Sequence, residues 1–351
     1  MLIGKKSIVG LDIGSRYLKI AKLNAGKDGY ELTLFSMLPI ERDIIGDGLV
    51  LNKPRLVESI KALMAQASIK KADAVIGLSG HSSVITKVIK VPLITEEELS
   101  LNIKYEAEQY IPFDIKDVNI DFEILGPDAE EEGMMNVMLV AVKKSVMKDY
   151  IDAVQQAGLT PIVVDVDSFS IGNVYEANYG LSDNKNIALV NIGASKTNIN
   201  ILRKGQPVFM RDTAIGSNYH TEALERTLNI SRDSAEQVKL GEAVEGISQE
   251  SAREIINGAS DEIYAEIYRS FEYFRSSVGD EDINGIVLSG GAARINGFAH
   301  LMSERLGIPV EVADVFRQIK LSEKVAPDVR DIAPIAAVVV GLAMRRSGDR
   351  Q

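Results

Sequence analysis

A bound polyphosphate needs backbone amides that no side chain obstructs, set beside an acid, and Asp12-Ile13-Gly14-Ser15-Arg16 supplies both. Apolar runs on either side, from Ser7 and from Tyr17, make this stretch a β-hairpin with the acid at its tip. Gly14 lets the backbone take positive φ, or approach a ligand with no Cβ in the way. Asp12, ending a buried strand, is placed to hold a divalent cation through waters. Any tight hairpin also favours Gly and Asp, so this stretch alone reads first as a plain turn.

A second copy changes that reading. Asn186 to Leu202 aligns with Ser7 to Leu23 without a gap, so that Asp12 falls on Asn191, Gly14 on Gly193 and Ile20 on Ile199. Two matching hairpins so far apart imply a duplicated domain, and two glycine turns facing each other across a cleft can grip a polyphosphate from both sides. A third glycine turn closes the run Gly285 to Arg294, where a buried strand ends in Ser289-Gly290-Gly291 ahead of a helix through Phe298 and Met302. Free amides and the positive end of a helix dipole suit a nucleotide's α-phosphate and sugar, although a tight strand-to-helix turn has the same composition.

Other titratable residues carry two readings each. Asp165 and Asp167, on a strand read over Pro161 to Asp167, point to one face. They sit either near a metal or catalytic water, or as a hydrogen-bonded turn and a helix cap. Glu236 and Lys239 share a helix face and either reach one ligand or pair with each other at the surface. His81, beside Gly80, reads as a loop residue ahead of a ligand contact. Glu96-Glu97-Glu98, in a first helical turn, answers the macrodipole rather than a metal.

The elements that position these residues follow from length and periodicity. At 351 residues the chain exceeds what one core supports, so two domains are expected. With 39 basic against 50 acidic residues the net charge of −11 argues against non-specific nucleic-acid binding. The absence of Cys removes disulfides and thiolate metal sites and fits a reducing cytoplasm. Met1 to Lys6 leave no room for a signal peptide, and the apolar run Ile332 to Met344 falls short of the roughly 20 residues a bilayer requires. Membrane association is therefore expected only through a partner.

Asn52 caps a helix with Pro54 in its first turn, and Thr95 with Glu98 forms a capping box for a helix stopped by Pro112. Strands at 118–125 and 136–141 and a helix from Ser145 to Ala157 follow, so that residues 87–160 read as a small α+β unit inserted into the first domain. That domain comprises 1–86, 161–185 and 332–351, the last as a buried helix packing back on it. The second domain is 186–331, with a helical part at about 217–282 that includes a long helix from Gln249 to Val278. The expected fold class is α/β: a duplicated fold of two domains around a cleft, with the α+β insertion in the first.

Three glycine turns in this order resemble the phosphate-1, phosphate-2 and adenosine motifs of the actin, heat-shock ATPase and sugar-kinase superfamily, whose fold is ribonuclease H-like. Within it, the chain is most similar to the PilM family of type IV pilus assembly proteins, relatives of the cell-division protein FtsA. Ser79-Gly80-His81-Ser82, Glu106 to Asp114, Val163 to Asp167 and Asp331-Ile332-Ala333-Pro334 carry that likeness, which covers essentially the whole chain.

The resemblance implies ATP with Mg²⁺ in the cleft. Asp12 would organise the metal, and Gly14, Ser15, Arg16 and Lys19 would serve the first phosphate turn. Gly193, Ala194, Ser195 and Thr197 would serve the second, with Gly290, Gly291 and Ala292 on the adenosine side. It also assigns Glu236 and Lys239, in Ala235-Glu236-Gln237-Val238-Lys239, to ribose and base.

Many relatives carry Asp where this chain has Asn191. Asn can orient a metal-bound water but cannot act as a base, so slow or partner-dependent hydrolysis is expected, with Asp165 as a further catalytic candidate. The resemblance further implies a cytoplasmic protein at the inner membrane. It would bind the N-terminal cytoplasmic tail of PilN and link to pilus motor ATPases and platform proteins, with Ile111 and Phe113 as candidate groove residues. Rival readings are an FtsA-like polymerising ATPase, although Ser347 to Gln351 is no amphipathic membrane helix, and a small-molecule kinase using Asp165 or Asp167 as base.

Overall fold

The first apolar run forms β1 (Ile8–Ile13), buried almost throughout, and turns back as β2 (Tyr17–Gly26) and β3 (Gly29–Pro39). The computed structural model describes residues 7–27, 29–128, 130–181, 185–279 and 281–349. The signal-peptide reading of residues 1–6 lies outside them. Two short strands, β4 (Ile45–Gly46) and β5 (Leu49–Val50), lead to helix α1 (Lys53–Gln66), where the Asn52 side chain accepts from the Arg55 N–H, and then to β6 (Asp73–Leu78).

The inserted unit runs through β7 (Val84–Pro92), α2 (Glu96–Glu108), β8 (Val118–Pro127) and β9 (Met134–Lys143). The Thr95–Glu98 capping box forms with both bonds made. Helix α3 (Lys144–Ala157), which the sequence groups with this unit, buries Tyr150, Ala153 and Val154 in the core that holds Leu56 and Ile60 of α1. The Tyr150 hydroxyl donates to the Gly48 carbonyl, 3.1 Å away. Gly158 ends the helix in the left-handed region at φ 103°. Next come β10 (Thr160–Val166) and α4 (Asp167–Tyr179), so the strand stops one residue short of Asp167.

The second hairpin becomes β11 (Asn186–Ile192) and β12 (Thr197–Arg203), followed by β13 (Gln206–Thr213). Helices α5 (Asn218–Leu228), α6 (Arg232–Lys239) and α7 (Gln249–Val278) follow, with Ser231 capping α6. After β14 (Gly285–Ser289) the chain takes a 3-10 turn over Gly291–Arg294, and α8 begins only at Phe298 (Phe298–Leu306). The expected helix dipole at Gly290 and Gly291 is therefore absent. Strands β15 (Val310–Val312) and β16 (Lys320–Leu321) lead to 3-10 turns over Pro327–Ala336 and to helix α9 (Ala337–Met344). Pro334 lacks an N–H to donate, and it lies within the 3-10 stretch that replaces the start of the helix expected from Ala333.

The sheets carry the duplication. Their orders are β10-β6-β1-β2-β3-β16 and β13-β12-β11-β14-β15, so β3-β2-β1-β6-β10 and β13-β12-β11-β14-β15 match strand for strand. Each hairpin is antiparallel and each first strand pairs in parallel with its crossover neighbour. Register repeats as well, with Asp12 opposite Lys19 and Asn191 opposite Asn198. The inserted unit is a separate three-stranded sheet, β7-β9-β8, with its own core around Leu99, Ile103 and Val137.

Helix α9 seals the first domain by direct backbone contact. A Cβ at Gly10 of β1 would lie 2.5 Å from the Val339 carbonyl oxygen, and one at Gly341 would lie 2.0 Å from that of Ser170 on α4. Gly341→Ala is expected to lower stability by about 1–3 kcal/mol, the ordinary cost of overpacking, as read by urea unfolding followed by circular dichroism.

Candidate functional site

The two glycine turns meet. Each is closed by the same bond, from the Gly14 N–H to the Tyr17 carbonyl at 3.1 Å and from the Gly193 N–H to the Lys196 carbonyl at 2.9 Å. Neither glycine has positive φ. Close approach is the reason for glycine here, since a Cβ at Gly14 would lie 2.9 Å from the Tyr17 oxygen. At the tips, the Ser195 hydroxyl donates to the Ser15 hydroxyl across 2.8 Å. The second turn is pinned in place by α5, where the Ser217 N–H donates to the Gly193 carbonyl and the Asn218 N–H to that of Ala194, both at 2.8 Å.

Beside these turns lies a crevice of about 920 Å³, its open mouth included, lined by Asp12, Gly14, Ser15, Arg16 and Lys19 from the first hairpin and Asn191, Gly193 and Ala194 from the second. Glu236, Lys239, Gly290 and Gly291 complete its far end. Gly290 sits at φ 88°, where a Cβ would lie 2.3 Å from the Ile192 carbonyl oxygen. Its N–H donates to the Pro334 carbonyl at 2.8 Å, which ties the third turn to the segment before α9.

Charge is buried unevenly between the repeats. In the first, Lys19 Nζ lies 2.5 Å from Asp12 Oδ2. Burial pushes the Asp12 carboxyl up from its ordinary value, and Lys19 only partly offsets this. In the second, the equivalent pair is neutral: Asn191 Nδ2 donates to Asn198 Oδ1 at 3.0 Å, and the Ser289 hydroxyl donates to Asn191 Oδ1 at 3.1 Å.

Lys239 donates to Glu236 and to the Thr221 hydroxyl, both at 2.9 Å. Glu236 also accepts from Thr221 at 2.6 Å. Burial works against the Glu236 charge, but Lys239 outweighs it and holds the carboxyl below the usual range. The two residues do pair with each other, but buried rather than at the surface, and both line the crevice.

Several expected site residues lie elsewhere. Asp165 turns away from the crevice toward Arg345, whose Nε lies 3.0 Å from its Oδ2, because β10 ends before Asp167 and the two acids part. Thr197 is buried and donates to the Ile215 carbonyl at 2.8 Å, and Ala292 is fully buried behind the third turn. Ser195 opens onto a neighbouring chamber with Arg42 and Arg232. Ile111 is buried in the inserted unit's own core, and Phe113 lies under Lys143, with the ammonium 4.1 Å from the ring centroid. His81 is exposed, as expected of a loop residue.

The crevice also recruits residues that sequence reasoning passed over. Arg294, Leu240 and Ile335 also line it. Arg294 follows directly from the third glycine turn, and that adjacency was the available signal. Lys196 lies inside the second hairpin, yet its partners, Ser79 and Asp167, are remote in sequence.

A model of the family described as type IV pilus assembly protein PilM matches residues 10–347. The chain belongs to the PilM family. Among solved structures, this PilM-family chain is similar to that of a PilM–PilN type IV pilus biogenesis complex, at TM-score 0.86 and 28% identity over 98% of this chain and 99% of that one. Among curated proteins, FtsA of Streptococcus pneumoniae serotype 2 is 23% identical over 350 residues, covering 86% of this chain and 74% of FtsA. MreB5 of Spiroplasma citri bound to AMPPNP shares the fold at TM-score 0.55 and 12% identity, over 97% of this chain and 96% of that one. The fold is thus the actin-like α/β fold expected from the sequence.

Behind the crevice, on α5, buried His220 has its Nε2 2.9 Å from the Ser260 hydroxyl. Burial, reinforced by Lys239, pushes its pKa down to about 4. Below its ordinary value of 6.5 the unfolded chain takes a proton that the folded chain refuses, so stability falls as pH drops from 6.5 toward 4. Urea unfolding at a series of pH values is expected to show His220→Gln losing about 1.4 kcal/mol per pH unit of this acid sensitivity relative to the unmodified protein.

Proposed function

We propose that this PilM-family chain is an ATP-binding adaptor of the pilus inner-membrane assembly complex, cytoplasmic and held at the membrane by the N-terminal tail of PilN. The observation that carries the nucleotide half is the opposition of the two glycine turns, tip to tip through Ser15 and Ser195. Residues of both turns line one crevice, with Lys19 inside it for phosphate charge and the Glu236–Lys239 pair at the other end for the ribose. Arg294, beside Gly290 and Gly291, flanks the base.

Among the described residues no group of three or more His, Cys, Asp or Glu can hold a metal ion alone. The donor set instead fits Mg²⁺ carried in by the triphosphate, which supplies most of the oxygens while Asp12 holds the ion through water. When bound, such an ion neutralises phosphate charge. Asn191 takes up no proton and adds no charge, and the Asp12 carboxylate is already shared with Lys19. Hydrolysis is accordingly slow in the isolated protein and dependent on a partner.

The partner half rests on the likeness to the PilM–PilN complex and on two free sheet edges. Strand β8 ends the inserted sheet and β10 ends the first domain's sheet. Arg345 stands between them, 3.0 Å from Asp165 of β10 and close enough to Glu123 of β8 to oppose the rise that burial imposes on that carboxyl. An extended PilN tail can add to such an edge through main-chain hydrogen bonds. Among the described residues no helix is long and apolar enough to cross a membrane, which suits attachment through PilN.

Calorimetry is expected to show ATP and ADP binding, lost on Asp12→Asn with Lys19→Ala, and a turnover below the usual enzyme range of about 1 to 10³ per second. A PilN tail peptide is expected to shift amide resonances of residues 118–127 and 160–166. Shifts confined instead to exposed Leu101 and Tyr105 of α2 would move the partner site to that helix.

A further inference from the structure

One charged cluster in the crevice is left unused by phosphate binding. Lys196 leaves the second glycine turn and crosses to the first domain, where its Nζ lies 3.2 Å from Asp167 Oδ2. It also donates to the Ser79 hydroxyl, which donates in turn to the same carboxylate oxygen. The other oxygen, Oδ1, rests on Gly77, so closely that a Cβ there would lie 2.2 Å from it. Oδ2 thus carries the polar ties, while Oδ1 packs against backbone. Burial works against charge on Lys196, but Asp167, with Tyr150, Asp212 and Asp12, outweighs it and raises the pKa, so Lys196 keeps its charge.

Three carboxylates line the crevice: Asp12, Asp167 and Glu236. Glu236 is held at the nucleoside end by Lys239 and Thr221, and Asp12 by Lys19 of its own hairpin. Asp167 differs from both, because one of its partners comes from the opposite domain. It is therefore the carboxylate that a change in domain spacing would set free.

We propose that Lys196 and Ser79 form a latch on Asp167 that keeps ATP hydrolysis slow until the two domains shift. The inference rests on the nucleotide reading above and deepens it. With the latch open, Asp167 orients the attacking water. The water oxygen bonds to the γ-phosphorus as that atom's bond to the bridging oxygen breaks, ADP leaves with the electron pair, and the water's proton passes to Asp167. Inorganic phosphate and ADP are the products. Lys196 and Ser79 act through Asp167 and are positioning residues.

The latch is also wired to the inserted unit. Gly80, next to Ser79, donates its N–H to Asp212 of the second domain at 2.9 Å, and the same loop feeds directly into β7. A partner pulling on the inserted unit thus pulls on Ser79.

The test measures phosphate release in single turnover alongside calorimetric ATP affinity, in Ser79→Ala, Lys196→Met and Lys196→Arg. Ser79→Ala and Lys196→Met are expected to accelerate release by about 10-fold or more, at the low end of what a positioned base supplies, with ATP affinity little changed. Lys196→Arg is expected to keep the slow rate, and Asp167→Asn added to either fast variant to abolish the gain. ATP binding without acceleration, or acceleration that survives Asp167→Asn, overturns the latch while leaving the nucleotide reading intact. Failure of the unmodified protein to bind ATP overturns both. Should Lys196→Met fail to fold, the charge-neutral Ser79→Ala decides alone.

Discussion

Burying charge where two sheets meet is the constraint around which this molecule is arranged. Asp12, Asp167 and Asp212 lie at the seam with Lys19 and Lys196, and a charge taken from water without a partner is costly. Each ion is therefore tied, and the ties cross domains: Lys196 to Asp167, and Asp212 to the Gly80 N–H and to Asn198. Burial raises the carboxyls of Asp12 and Asp212 despite these ties. A triphosphate entering this place adds negative charge to an already acidic seam, which is why the nucleotide reading brings a cation with it.

Duplication explains the frame and divergence explains the chemistry. The two sheets share strand order, pairing sense and turn closure. At matched positions, however, the first repeat carries Asp12 and Lys19 while the second carries Asn191 and Asn198. One jaw is ionic and the other is an amide ladder. The second hairpin's own turn carries a charge in Lys196, which is directed to the first domain rather than to its own strand pair. Symmetry of backbone with asymmetry of charge suits a clamp whose halves do different work.

Sequence legibility followed the range of the interactions involved. Asn52 and the Thr95–Glu98 box were readable because a cap is satisfied within a few residues. The gapless match of Asn186–Leu202 to the first hairpin exposed the duplication, and the family likeness located the crevice. Side-chain direction was less accessible. Thr197 and Ala292 stand in the right motifs yet face inward, and Asp165 is turned toward Arg345 by a strand that ends one residue early. Lys196 was hidden because its partners arrive from distant parts of the chain, and the packing of α3 on α1 because the two lie far apart in sequence.

Helix α9 carries an implication for synthesis. It contributes Val338, Val339 and Leu342 to the core around Ala21 and Val75, in a domain whose first strand is translated hundreds of residues earlier. Until residues 337–344 clear the ribosome, the sheet that begins at β1 has an open apolar face, while the second domain's sheet is already complete. Nascent chains thus emerge in reverse order of readiness, with the later half able to close before the earlier one. The first sheet's apolar face thus stays open longest while the chain is made, which favours transient association of that half.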